Sequence, residues 1–400
     1  MTAALFFLAA LGLSVLLHAV AVAALRRHRR RTRRLPPSDP APVVSIVKPL
    51  CGIDAELEEN LASFFRLDYP SPSFEIVFSF ASAEDPAFPV ARRIADRFPL
   101  VPTVFVVDGR EPGRNAKVNR LAAALRRARG TLFLFSDGDV RVRPDFLRRV
   151  VPEMSDPSVG LVSCLFRSVR AASLASRLEA LYLDGILRPA TAAVAGVLRM
   201  PCVVGKSILI SRAALTAIGG MLPLRDHLAE DFLLGKLTER AGYRAVLSSE
   251  EIRTVAGGRT LAAVWQRHRR WSILRRRLGG FSYVSELFSS PLPFAVGAAA
   301  ASGGDARILA AVLGLALARL ATEALALADG PERIGLARLL LLLPLRDLGA
   351  AALFWAGLFG RRTRWRGRRL WVGKETLLRG EKEGKRTGRR AAAVAAASAR

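Results

Sequence analysis

The chain has 400 residues, room for one substantial folded domain with accessory segments. It is 51% hydrophobic, yet carries 61 Lys and Arg against 34 Asp and Glu, a net charge of +27. Its three cysteines, Cys51, Cys164 and Cys202, lack CxxC spacing and suggest neither a disulfide framework nor a zinc site.

Such a charge suits either nucleic acid or an anionic bilayer. The densest basic runs, residues 26–34 and 361–369, each directly follow a long apolar segment, where juxtamembrane charge belongs. The expected partner is therefore the anionic cytoplasmic leaflet of a membrane, with no nucleic acid.

Residues 3–25 are uncharged and long enough to cross a hydrocarbon core of about 30 Å. Positive charge follows this stretch instead of preceding it, so residues 1–25 read as a transmembrane helix and not as a cleaved secretory signal. The positive-inside rule puts the amino terminus outside and the remainder in the cytoplasm, on the inner (cytoplasmic) membrane. Residues 26–42 form a basic, Pro-rich linker, with PPSDPAP favouring an extended polyproline conformation.

A catalytic domain is expected over residues 43–285. Strands at 43–50, 74–81, 103–109 and 131–137 alternate with helices at 56–65, 88–98 and 115–129, the pattern of a parallel sheet covered on both faces. Further strands are expected at 159–166 and 206–211, and helices at 174–195 and 231–241. A very basic helix at 265–277, with Trp265, Trp271 and Leu274 interleaved, suits an interfacial position.

Residues 286–360 turn apolar. The stretch 291–301 is too short to span and reads as interfacial, whereas 307–328 and 334–359 are each long enough to cross. Two crossings return a basic tail, 361–400, to the cytoplasm, disordered from Lys374 on. Arg319, Glu323, Arg338, Arg346 and Asp347 are costly in lipid and should face one another, the enzyme or a headgroup.

The chemistry begins at TLFLFSDGDV, where an apolar strand ends in Asp137-Gly138-Asp139. An isolated DGD is more often a turn, but at the carboxyl end of a strand in an open α/β sheet two carboxylates can hold a divalent cation. Asp139 is the candidate metal ligand, Mg2+ or Mn2+, with Asp137 beside it for the same ion or the ribose of a nucleotide. The GRNAKVN segment follows the third strand and opens a helix, so its amides, Lys117 and Asn119 can approach phosphate and base; a plain helix start capped by Asn115 explains the same letters.

Asp231 is the candidate general base, because the adjacent Glu230 and partial burial should raise its pKa. Arg267, Arg270 and Trp271 can neutralise a departing diphosphate and stack near an acceptor. Taken without the acidic motifs, they would read as a membrane-surface patch.

The series VSIVKPLCGIDAELEENLASFFRLDYP, SDGDV, CVVGKS, LAEDF and RHRRW resembles the ceramide glucosyltransferase-like family 21 glycosyltransferases, including their bacterial hopanoid-biosynthesis branch. WRGRRLWVG at 365–373 is similar to that family's end. The resemblance implies a Rossmann-like GT-A fold and an inverting transfer from a UDP-sugar to a ceramide-like or hopanoid lipid. It places Asp137 and Asp139 at the donor and metal, Asp231 as base, and Arg267, Arg270 and Trp271 as the (Q/R)xxRW motif. It is departed from after the second strand, where Ser82 stands at the family's acidic position and Asp85 just beyond is the candidate substitute for donor contact.

The expectation is thus a transferase moving one sugar to a lipid hydroxyl. A processive polysaccharide synthase shares these motifs, but about three spans are too few for a polymer channel. A non-enzymatic basic membrane protein explains the charge and not the acidic motifs.

Overall fold

The computed structural model describes residues 1–30, 41–70, 72–328, 330, 334–365 and 367–380. It opens with helix α1 (Thr2–Arg30), in which the first arginines after the apolar stretch continue the same helix. Most of the expected Pro-rich linker lies outside the described residues.

The domain then alternates as its hydrophobic pattern demands: β1 (Val44–Pro49), α2 (Leu57–Phe65), β2 (Phe74–Phe80), α3 (Ala87–Arg97), β3 (Thr103–Val107), α4 (Ala116–Leu125) and β4 (Leu132–Ser136). Two-residue β5 (Val140–Arg141), short α5 (Phe146–Val150) and long β6 (Val159–Ala171) follow. The helix expected at 174–195 forms as α6 (Leu174–Tyr182), a π-helical turn (Leu183–Leu187) and α7 (Arg188–Gly196). Next come β7 (Ser207–Ser211), α8 (Arg212–Ala217), α9 (Glu230–Arg240), β8 (Arg244–Gly257) and α10 (Leu261–Gly279).

All eight strands share one sheet, ordered β3-β2-β1-β4-β7-β6-β8-β5. The first four are parallel as expected. The other half is mixed, with β7 antiparallel to β4 and β6, and β5 antiparallel to β8. The strand–helix alternation that sets the parallel half ends at β4; β7 then enters between β4 and β6 and runs against both, while β8 stays parallel to β6 across two register shifts.

Side chains of the parallel strands divide between two cores. In β4, Leu132 and Leu134 enter one core while Phe133 and Phe135 enter the other. Burial on both faces is why these strands read as unbroken apolar runs. The order 3-2-1-4 also creates a switch point beside β1 and β4, and a ligand crevice forms at the carboxyl ends of such strands.

Beyond the domain lie α11 (Leu292–Ala301), α12 (Ala306–Leu327) and α13 (Leu336–Phe359). Helices α1, α12 and α13 are long and apolar enough to cross a membrane. Their charged residues meet in a buried cluster: Arg319 and Arg346 each lie 2.8 Å from Glu323, and Arg346 lies 2.7 Å from Asp347. His18 of α1 joins it, with Nε2 at 2.9 Å from the Gly185 carbonyl in the π turn and 3.7 Å from Glu323. Arg338 remains exposed near the start of α13.

The expected loose tail is corrected as far as it is described. Strands β9 (Arg362–Trp365), β10 (Arg368–Val372) and β11 (Leu378–Gly380) form an antiparallel sheet. Leu370, Val372 and Leu378 pack with Ile273 of α10 and Leu228. Arginine density hides a period-two pattern in which Thr363, Leu370 and Val372 face inward. The segment braces the approach to α9: Leu378 N–H donates to Asp226 O at 2.7 Å, and Ala229 N–H donates to Thr376 Oγ1 at 3.1 Å.

Candidate active site

A cavity of about 620 Å³ opens at the carboxyl ends of β1 and β4. Asp137, Asp139, Lys117, Asp231, Arg267, Arg270 and Trp271 all line it, although the chain separates the first from the last by more than a hundred residues.

Asp137-Gly138-Asp139 fills the tight turn between β4 and β5. Gly138 permits it, since a Cβ there would meet Asp54 Oδ2 at 2.5 Å. Lys48 of β1 is wholly buried and holds the turn from below, donating to Ser136 Oγ at 3.1 Å and to the Asp137 carbonyl at 3.0 Å, with its ammonium 3.7 Å from the Phe64 ring centre. Burial pushes the Lys48 ammonium down to about 7, against the opposing pull of Asp137.

Four cations meet the two carboxylates. Lys206 Nζ lies 2.6 Å from both oxygens of Asp139 and 3.4 Å from Asp137. Lys117 Nζ lies 2.9 Å from Asp137 and 3.3 Å from Glu230, so it links the β4 turn to the start of α9. Arg259 and Arg267 reach Asp139 at 3.4 and 3.8 Å. Burial alone would raise the carboxyls of Asp137 and Asp139, but Lys117 and Lys206 at the first, and Lys206 and Arg267 at the second, hold both below the usual carboxylate range.

Asp231 sits in the first turn of α9 with Oδ1 accepting from the Phe232 N–H at 2.8 Å. Its Oδ2 is so close to Gly205 that a Cβ there would stand 2.6 Å away. Burial, and then the Glu230 charge, raise the Asp231 carboxyl to about 6 despite Lys117. Asn115 steadies the neighbour, donating from Nδ2 to Glu230 Oε2 at 3.1 Å while its Oδ1 caps α4.

On α10, Arg267 lies 4.8 Å from the Trp271 ring centre, and Arg270 lies 5.9 Å from that of Trp365. Glu179 of α6, buried in what reads as a leucine-rich helix, anchors this face: Arg259 donates to it at 2.9 Å, His268 Nε2 lies 3.0 Å away, and Arg267 3.6 Å away. Burial opposes its charge, yet His268 and Arg267 hold it down at about 2.

Two expected residues stand outside the cavity. Asp85 accepts the N–H groups of Gly52 and Ala87, each at 2.9 Å, and thereby ties the loop after β1 to α3. Asn119 is buried and folds back on Gly113, accepting from its N–H at 3.1 Å and donating to its carbonyl at 2.8 Å. The carboxylate that lines the cavity from the loop after β1 is Asp54, raised to about 6 by burial and by Asp139.

Sequence reasoning assigned no role to Asp54, Lys206, Arg259, Glu179 or Lys48. Asp54 and Lys206 fall within stretches that carry the family resemblance, CGID and VVGKS, and were legible there. Lys48 falls in the same stretch as Asp54, in VKPL; Glu179 was not legible, since it sits outside every quoted motif in a helix that reads as Leu- and Ala-rich.

The implied divalent cation fits this donor set. Asp137 and Asp139 offer hard oxygen ligands, and the Lys206 ammonium between them marks a position that favours positive charge. Among the described residues no cluster of three His, Cys, Asp or Glu is arranged to hold a metal ion. Two carboxylates with substrate phosphates and water supplying the rest is a usual arrangement for Mg2+.

The eight-stranded mixed sheet, with its carboxylates at the switch point, is a GT-A fold. A mannosyltransferase from Pyrobaculum calidifontis, solved with GDP-Man and Mn2+, shares it with a TM-score of 0.52 and 22% identity, over 90% of this chain and 98% of that one. The chain belongs to glycosyl transferase family 21, which matches residues 11–378. Among its relatives, ceramide glucosyltransferase 1 of Caenorhabditis elegans is 30% identical over 247 residues, covering 62% of this chain and 52% of the relative. Ceramide glucosyltransferase 3 of the same organism is 28% identical over 235 residues, covering 58% and 50%. The chain thus spans about half the length of the curated relatives it matches.

Proposed function

We propose that this protein transfers one sugar, with inversion, from a UDP-sugar to the hydroxyl of a ceramide-like or hopanoid lipid at the cytoplasmic face of the inner membrane. The observation that carries the reading is the sharing of one cavity by Asp137 and Asp139, Asp231, and the Arg267-Trp271 face of α10. The ceramide glucosyltransferase relatives support a lipid acceptor. Three apolar helices support a membrane setting, and the basic run closing α1 supports the orientation.

In this reading Asp137 and Asp139 would hold Mg2+ or Mn2+, which when bound neutralises charge on the donor diphosphate. Lys117 and Lys206 add positive charge beside it. Asp231 Oδ2 takes the proton of the acceptor hydroxyl while its oxygen attacks the anomeric carbon. The bond to the diphosphate breaks on the opposite side, and UDP leaves against Arg267 and Arg270.

Incubating the purified protein with a panel of UDP-sugars and a lipid extract should give a single lipid species heavier by one hexose or N-acetylhexosamine, read by mass spectrometry. Product of high mass would point instead to a processive synthase.

Asp139→Ala should weaken Mn2+-dependent UDP-sugar binding by about tenfold or more, the loss expected when one of few charged ligands is removed. Isothermal calorimetry with and without Mn2+ reads this directly, and equal donor affinity in the variant would refute the metal assignment.

The pH profile follows from Asp231, which acts as base only when ionised. Its carboxyl lies near 6, against 3.8 for an ordinary aspartate, so kcat/KM should rise about tenfold per pH unit below that value and level off above it. Asp54 lies in the same range. The inflection should therefore persist in Asp54→Asn if Asp231 sets it, and disappear otherwise.

A further inference from the structure

The C-terminal sheet has a second face that the catalytic cavity does not use. Trp365 lines the cavity, whereas Arg362, Arg364, Arg369 and Trp371 line a separate cleft of about 230 Å³, closed on one side by Arg269 of α10. In the β9–β10 register Arg364 lies directly opposite Arg369, and Arg362 opposite Trp371. Arg362 stands 5.4 Å from the Trp371 ring centre, and Arg269 donates to the Arg362 carbonyl at 3.0 Å.

Like charges directly across an antiparallel pair destabilise it. Among the described residues none of these four arginines has a carboxylate within ion-pairing distance, although their neighbour Arg368 pairs with Glu111. An anion between them would offset the repulsion. Guanidinium forks bind phosphate in a bidentate fashion, and a cleft of this size holds one such group.

Position selects the source of that phosphate. Helix α13 ends at Phe359, three residues before β9. Trp355 and Phe359 are exposed there and stack at 6.1 Å between ring centres, as aromatic side chains do at the edge of a bilayer. With α13 spanning the bilayer, the arginine cleft that follows it would lie at headgroup depth.

We propose that Arg269, Arg362, Arg364 and Arg369 form a binding site for the headgroup phosphate of an anionic phospholipid, separate from the donor cavity. This rests on the membrane setting of the chain and not on its transfer chemistry.

The test uses full-length protein in a non-ionic detergent, titrated calorimetrically with dihexanoyl phosphatidylglycerol and, separately, with dihexanoyl phosphatidylcholine. Saturable binding of the anionic lipid alone is expected. The R364Q/R369Q double variant should weaken it about tenfold or more, since two charge-assisted contacts are lost, and R368Q should leave it unchanged. Near-UV circular dichroism checks folding, and single R369Q repeats the comparison should the double variant not fold.

Unaltered lipid affinity in these variants would overturn the proposal. Inorganic phosphate or a short single-stranded oligonucleotide binding as tightly as the lipid would overturn the lipid assignment. Loss of UDP affinity in R364Q/R369Q, in step with lipid affinity, would mean that the arginines serve the donor cavity and would also sink it. Wild-type protein that binds the anionic lipid but no UDP would uphold this site while refuting the transferase reading.

Discussion

Asp231→Asn is expected to lower kcat by about 10² to 10⁴-fold, the usual contribution of a positioned general base, while leaving the Kd for the UDP-sugar unchanged. The amide keeps the size of the carboxylate and its acceptor oxygen for the Phe232 N–H, but cannot take a proton. In the proposed reading the donor is held by Lys117, Lys206, Asp137 and Asp139, which pair among themselves. Glu230 keeps its contacts with Lys117 and Asn115, so the start of α9 should stay in place. Single-turnover kinetics with preloaded donor isolates the chemical step. Retention of most of the wild-type rate would move the role of base elsewhere, with Asp54 next in line because it faces the same cavity.

What the letters disclosed, and what they hid, follows from how each feature is built. The parallel half of the sheet was legible because its strands are buried on both faces and read as apolar runs ending in turn chemistry. The candidates Asp137, Asp139, Asp231, Arg267 and Trp271 stand out in the sequence because short polar motifs interrupt apolar elements, and all five line one cavity. The three spans announced themselves by length.

Asp85 and Asp54 are distinguished only by tertiary detail: both follow strands, but two backbone N–H groups already engage Asp85. Asn119 has the same character, its amide spent on Gly113. Strand β8 was hidden by Ser-Ser-Glu-Glu, whose polar groups find partners at Glu153, Arg149, Arg167 and Arg188 in the folded chain. The C-terminal sheet was hidden by arginines that occupy its outward face. In each case long-range pairing supplies what a local window lacks.

The largest stability effect is expected within the membrane helices. Glu323 is fully buried and lies 2.8 Å from both Arg319 and Arg346. Glu323→Leu leaves two guanidiniums with one remaining carboxylate, Asp347, which contacts Arg346 and not Arg319. Breaking a buried ion pair from one side costs about 3 to 5 kcal/mol, since the surviving charge is stranded. The variant should therefore be recovered in low yield and unfold in detergent well below the wild type.

Glu323→Leu combined with Arg319→Leu removes a charge of each sign and restores the balance with Arg346 and Asp347. It should regain most of the lost stability, because replacing a buried pair by apolar side chains is often neutral.

The cluster also reaches the cavity. His18 contacts the π turn at Gly185, and just after that turn Arg188 lines the cavity, pairs with Glu251 and donates to the Ala326 carbonyl of α12 at 2.6 Å. If those contacts set the cavity wall, the double variant should be stable yet show a raised KM for the lipid acceptor with an unaltered KM for the donor. A double variant no more stable than Glu323→Leu would show that the ion pairs are not what holds these helices together.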